Sequence, residues 1–219
     1  MKAKSVLFCS LLAAAAASAH AESGFYVLGA VGQSRFDYNL DSEDLKGTED
    51  GVTIAEATGK QDKSDTGFKL QVGYQINDNF AIEGGYVDLG EYSLKGSLAG
   101  DVNGDDFEGV YKAKAKSTAI NLDGVFILPL GSDWSLFAKV GVVRAETKQS
   151  LSLYVAGEGG SDSSKKTRTT GHYGLGGAYN LTKDVSVRLE WERFNQLGSD
   201  DLMGKANVDL FSLGIAYHL

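Results

Sequence analysis

From Gly24 onward the apolar side chains recur at every second position, the period of a β-strand whose two faces meet different surroundings. The final segment shows it most plainly: Phe211, Leu213, Ile215, Tyr217 and Leu219 fall on one face, Ser212, Gly214, Ala216 and His218 on the other. The same alternation runs through Phe68 to Ile76, Phe80 to Tyr86, Ile120 to Leu128, Leu136 to Val143, His172 to Leu181 and Val185 to Glu192. An opening strand near Gly24 to Phe36 makes eight, with apolar residues in both registers, so its facing stays open. Short turns at Asn77-Asp78-Asn79, Gly131-Ser132-Asp133 and Thr182-Lys183-Asp184 alternate with long polar connections. The latter run from about Asp37 to Ser64, Ser93 to Lys114 and Lys148 to Arg168, with a shorter one near Gly198 to Lys205.

An even number of strands with short turns at one end and long loops at the other is the pattern of a barrel that crosses an outer membrane. A soluble two-sheet sandwich is the rival, but its outer face would be richly charged. Here the polar face is dominated by small residues, Gly73, Gly85, Gly141, Gly174, Gly176, Gly214 and Ala216. That suits an eight-stranded barrel, whose interior is only just wide enough for side chains. Aromatics gather at the strand ends as they do at lipid headgroups. Tyr74, Phe80, Phe126, Trp134, Tyr179 and Tyr217 fall near the turns, Tyr92 and Trp191 toward the loops. The expected fold is all-β, an eight-stranded antiparallel up-and-down transmembrane β-barrel with its N-terminus in the periplasm.

The first residues predict export to that site. Lys2 and Lys4, an apolar stretch from Ser5 to Ala17, and Ala19-His20-Ala21 have the anatomy of a cleaved secretory signal. The expected division is a signal peptide at 1–21 and an outer-membrane barrel domain at 22–219. Cys9 lies inside the apolar stretch after Phe8, unlike a lipoprotein acylation site. Cleavage leaves a chain without cysteine, carrying about ten net negative charges. The whole sequence of 219 residues has a charge of −8, which argues against a nucleic-acid partner because phosphates need a cationic face. A single cysteine excludes an intramolecular disulfide framework and a structural zinc cluster.

If the apolar faces meet lipid, the opposite faces place Lys69, Glu83, Asp123, Lys139, Arg188, Glu190 and Glu192 in the lumen. Buried charges persist when they are paired and hydrogen-bonded, so this near-balance predicts an ion-pair lattice plugging the bore. The same lattice could serve as a gate for small ions. Gly24-Phe25-Tyr26-Val27, Gly73-Tyr74-Gln75-Ile76, Glu83-Gly84-Gly85-Tyr86, Arg188-Leu189-Glu190-Trp191 and Ser212-Leu213-Gly214-Ile215-Ala216-Tyr217 carry a resemblance over almost the whole mature chain. They resemble the transmembrane barrel of the outer membrane protein A family. The resemblance implies a lumen gate of two acids and two bases. Glu83 and Glu190 match the acids, Asp123 stands at the lysine position, and the arginine position falls near Lys205, which joins the expected lattice. It further implies a barrel without the family's periplasmic domain, since the chain stops at the last strand. The C-terminal strand, ending in Leu219 where the family usually has Phe, would be read by the barrel-assembly machinery.

The chemistry-bearing residues are few. His172 and His218 lie on the inward parity, with His172 toward the loops as a solvated lumen histidine; a dyad with Ser163 or Ser164 has no support in spacing. Glu190 and Glu192 share a face at a separation suited to paired-carboxylate hydrolysis, but the neighbouring bases favour ion pairing. Asp101-x-Asn103-x-Asp105 begins like a calcium loop, yet Asp106 and Lys112 occupy the positions that need glycine and glutamate. No enzyme, cofactor or metal site is expected. The first long connection is acidic, through Asp37, Asp41, Glu43, Asp44, Glu49, Asp50, Glu56 and Asp62. Lys112, Lys114, Lys116, Arg144, Lys148, Lys165, Lys166 and Arg168 cluster at or above the outer rim, where lipopolysaccharide phosphates would accept their charge-assisted hydrogen bonds. The expected partners are thus outer-membrane lipid and lipopolysaccharide, with loops open to a host or surface ligand, and the expected state is a monomer. A mainly structural role leads; a narrow gated porin, a surface adhesin and a lipid-modifying barrel enzyme are the alternatives.

Overall fold

The computed structural model describes residues 24–38, 46–49, 52–102, 104–155, 158–199 and 204–219. The leader expected at 1–21 and the loop acids Asp41, Glu43, Asp44 and Asp50 lie outside the described residues, as does Asn103. The described residues form ten strands: β1 Phe25–Phe36, β2 Gly47–Glu49, β3 Val52–Asp62, β4 Ser64–Asn77, β5 Phe80–Val102, β6 Asp105–Leu130, β7 Trp134–Val155, β8 Glu158–Asn180, β9 Val185–Ser199 and β10 Gly204–His218. Eight of them close a ring. β1 pairs antiparallel with both β10 and β4, and β4, β5, β6, β7, β8, β9 and β10 follow in order around the cylinder. β3 continues the line of β4 past Lys63 and pairs with the upper half of β5, and β2 adds to its far edge.

The outer surface carries a band of unburied apolar side chains, including Leu70, Val72, Ile82, Leu122, Val140, Leu175, Leu189 and Ile215, with Val140 69% and Leu189 65% exposed. In water such a continuous belt would be a severe liability; in hydrocarbon it is the favourable surface. Its upper edge is sharp. Directly above Tyr86, Ile120, Val142, Trp191 and Phe211 the same outward face turns to Asp88, Thr118, Arg144, Arg193 and Asp209. Trp134, Tyr179 and Tyr217 ring the turn end, and Trp134 packs on Tyr179 with centroids 4.7 Å apart. β1, ambiguous in sequence, turns Tyr26, Leu28, Ser34 and Phe36 inward.

Two expectations are corrected by the fold. Ser93 to Lys114 and Lys148 to Arg168 are mostly strand rather than loop, because β5–β6 and β7–β8 continue as ladders far above the apolar belt. Beyond the lipid the outward face needs no apolar side chains, so Lys112, Lys114 and Lys116 alternate with inward Tyr111, Ala113 and Ala115. The interior is also not polar throughout. Phe36, Tyr38, Leu89, Tyr92, Leu94, Phe194, Leu197 and Leu210 form a buried apolar cluster above the lumen charges. Tyr92 belongs to this cluster and not to an interfacial girdle. A bulge between Asp88 and Glu91, with Gly90 at φ 77°, flips the parity of β5 so that even positions above it face inward. Asp88 accepts the Gly90 amide at 2.8 Å and Asp65 accepts that of Glu91 at 2.7 Å, which locks the bulge.

Candidate functional site in the barrel lumen

Below the apolar cluster, side chains from five strands meet in a buried, charged layer. Lys69 of β4, Glu83 of β5, Asp123 of β6, Lys139 of β7, and Arg188, Glu190 and Glu192 of β9 are all buried. Glu83 accepts hydrogen bonds from the Tyr26 hydroxyl at 2.5 Å, the Lys139 ammonium at 2.7 Å and the Arg188 guanidinium at 2.5 Å. Glu190 pairs with Lys69, with Lys139 at 3.0 Å and with Arg188 at 3.1 Å. Glu192 pairs with Lys69 and stands 3.6 Å from Lys139. Arg188 also lies over the Phe137 ring, 4.2 Å from its centroid, and forms the floor of the layer. Every base thus meets more than one acid, the condition under which buried charge is retained at tolerable cost.

Asp123 stands apart from the three bases. It accepts the Asn121 amide at 2.5 Å and meets His172 Nε2. The His172 ring stacks on Phe194 with centroids 4.9 Å apart, and the residue is 1% exposed, so the solvated histidine expected from the sequence is in fact sealed beneath the apolar cluster. Four carboxylates therefore face three permanent cations, with His172 against the fourth. His172, Tyr26 and Asn121 complete the layer; the sequence placed His172 on the right face without its partner, and did not single out the other two. No pattern in β1 brings in Tyr26, because apolar residues occupy both registers of that strand.

Glycine opens the gaps these contacts use. Gly73 lies between Tyr26 and Glu83 in the ladder, and a Cβ there would sit 2.1 Å from the tyrosine ring. Gly141 lies between Asp123 and His172, and a Cβ there would sit 2.1 Å from the aspartate oxygen. Each empty position lets side chains two strands apart touch across it.

The donor set Asp123, His172 and Glu192 has ligand atoms within 4.8 Å of one another, the arrangement among the described residues that could hold a divalent ion. Lys69 already holds Glu192 and Asn121 already holds Asp123, so the charge an ion would meet is largely spent. A nucleophilic dyad does not form: Ser163 lies nine residues from His172 on the same strand, roughly 30 Å along it. Asp101 accepts the Gly104 amide at 3.3 Å in a tight hairpin turn.

Lys205 is outside the lattice. It projects to the exposed outer face of β10, between inward Ala206 and the strand end, beyond an irregularity in the β9–β10 ladder that an ungapped reading of the sequence passes over. Of the expected rim cations, Lys112, Lys114, Lys116, Arg144, Lys148 and Lys165 share the outward face. Lys114 pairs with Glu91, Lys116 with Asp88 at 3.4 Å and Lys165 with Glu146 at 2.9 Å. Lys166 and Arg168 fall on the opposite parity of β8, where Arg168 donates to Gln196 at 3.5 Å.

Residues 20–219 match the family model described as the OmpA-like transmembrane domain. Outer membrane protein A of Shigella flexneri is 30% identical over 148 residues, 66% of this chain and 38% of the relative. The chain spans about two fifths of the length of the curated relatives it matches. Among solved structures, the outer membrane protein AlkL in lipid bilayers aligns with a TM-score of 0.52 at 13% identity, covering 92% of this chain and 93% of that one. Neisserial surface protein A aligns at 0.50 and 14% identity, covering 90% and 98%. These two share the fold.

Proposed function

Taking as premise that this chain belongs to the OmpA-like transmembrane domain family and lies in the outer membrane, we propose that it is a structural barrel whose bore is permanently closed. The observation that carries this reading is the double obstruction: a layer of mutually paired charges with an apolar cluster packed directly above it. Opening a path for ions would require breaking the pairs and also displacing Phe36, Tyr92, Phe194 and Leu210, so the narrow porin fits less well. The sealed His172 gives the lipid-modifying enzyme no support either. Paired strands standing well above the lipid leave surface adhesion as a role compatible with a closed bore. In the intact membrane the outward rim cations, foremost Arg144 and Lys148, would bind lipopolysaccharide phosphates, the last strand would be read by the assembly machinery, and the barrel would act as a monomer. The test is single-channel recording of purified protein in planar bilayers. No reproducible conductance steps are expected; discrete steps abolished by a substitution at Glu83 or Lys139 would establish the porin instead.

A further inference from the structure

The upper sheet carries a second cationic feature, which lies higher than the rim cations and includes Lys112 of the expected rim set. On its outward face Lys60 of β3 stands directly opposite Lys95 of β5, and Lys95 directly opposite Lys112 of β6. All three are exposed, and no carboxylate among the described residues pairs with any of them. Like charges directly opposite across a ladder destabilise a sheet, and elsewhere on this face Lys114, Lys116 and Lys165 each have an acid. The row continues in hydroxyls, Ser152 of β7 and Ser161 of β8, and the row above it holds Thr58, Ser97, Val110 and Tyr154. Tyr154 is 58% exposed, diagonal to Lys112, and offers an aromatic face beside the ammonium groups.

We propose that the row Lys60–Lys95–Lys112, with Tyr154 at its end, binds a sulfated or phosphorylated polysaccharide strand laid across the sheet. Adjacent strands lie about 4.8 Å apart, so three ammonium groups at that spacing match esters borne on one sugar chain, and the ring and hydroxyls suit its apolar and hydroxyl faces. Height separates this site from the lipid. Lys112 lies eight residues above Ile120, where the apolar belt of β6 ends, roughly 27 Å along the strand and about 20 Å above the membrane edge. Headgroup phosphates are out of reach there, whereas the rim cations begin immediately at that edge. The sequence carries a charge of −8, so a polyanion is repelled in general and is held only where cations are concentrated.

The experiment uses the full protein in nanodiscs free of lipopolysaccharide, with labelled dextran sulfate as probe and uncharged dextran as its control. Saturable binding to dextran sulfate alone is expected, weakening as salt rises. Replacing Lys60, Lys95 and Lys112 together by glutamine should weaken it by roughly tenfold or more. Lys95→Arg should retain it, and Lys183→Gln, the same charge change as Lys95→Gln but at the opposite end of the barrel, should leave it unchanged. Heat-modifiable migration on gels verifies that each variant is folded. The proposal is overturned if the triple variant binds as wild type, if Lys183→Gln weakens binding as much as Lys95→Gln, or if the wild type does not bind. None of these outcomes depends on whether the bore conducts.

Discussion

Removing the Glu83 carboxylate perturbs three strands at once, because Tyr26 of β1, Lys139 of β7 and Arg188 of β9 all donate to it. Breaking one side of a buried ion pair costs about 3 to 5 kcal/mol, mostly as the penalty of stranding the partner charge. Here the stranding is incomplete: Lys139 keeps Glu190 at 3.0 Å and Arg188 keeps it at 3.1 Å. The lower end, about 3 kcal/mol, is therefore expected for Glu83→Ala. Tyr26 has no such second acid, so Tyr26→Phe should cost roughly 1.5 to 3 kcal/mol, the range for a hydrogen bond to a charged group. Once Glu83 is gone the tyrosine hydroxyl has already lost its acceptor, so adding Tyr26→Phe to Glu83→Ala should give a loss short of the sum by about 1 kcal/mol or more. Reversible urea unfolding in phospholipid vesicles, followed by gel migration and tryptophan fluorescence, measures all three. A Glu83→Ala cost below about 1 kcal/mol, or strict additivity with Tyr26→Phe, would refute the claim that this carboxylate anchors the lumen layer.

Two further perturbations probe neighbouring parts of the interior. Gly141→Ala places a methyl 2.1 Å from Asp123 and 2.2 Å from the Leu122 carbonyl, so it should destabilise the barrel by about 1 to 3 kcal/mol in the same unfolding assay; an unchanged midpoint would show that the strands have room to part. In the apolar cluster above the membrane, burial and the neighbouring Tyr38 and Tyr111 hydroxyls push the Tyr92 phenol up to about 12 from its ordinary value of 10. A group that holds its proton more tightly when folded contributes stability that is complete below pH 10 and is lost as pH rises through 12. Stability should accordingly fall across that interval, and Tyr92→Phe should flatten the fall; an identical slope in the variant would contradict the assignment.

The fold was legible in sequence because lipid reverses the usual rule of burial while leaving the period of two intact. Lys69, Glu83, Lys139, Arg188 and Glu190 share the parity opposite to Leu70, Ile82, Val140 and Leu189, and no register information is needed to see that. Contacts between strands are a different matter. That Asp123 reaches His172 depends on β6, β7 and β8 being in register with Gly141 between them. Bulges defeat parity altogether: the one at Gly90 turned Tyr92 from the surface to the core, and Gln196, at φ 48°, resets β9 so that Leu197 follows Phe194 into the interior. The upper ladders were missed for a chemical reason, since strands beyond the membrane are built from Ser, Thr, Lys and Gly and lose their hydropathy contrast. Tyr111, Ala113 and Ala115 alternating with lysines preserved a trace of it.

The account rests on which way the two faces look, and site-directed spin labelling reads that directly. Single cysteines at Val140, Leu189 and Ile215, and at inward Val125, Phe137 and Ala216, would be labelled in a background where Cys9 is replaced, and the protein folded into vesicles. Labels on the first three are predicted to be relaxed strongly by oxygen dissolved in the bilayer and weakly by a water-soluble nickel chelate, while labels on the second three are shielded from both. Outer-face labels reached by the nickel reagent, or inner-face labels relaxed by oxygen as strongly as the outer ones, would contradict it.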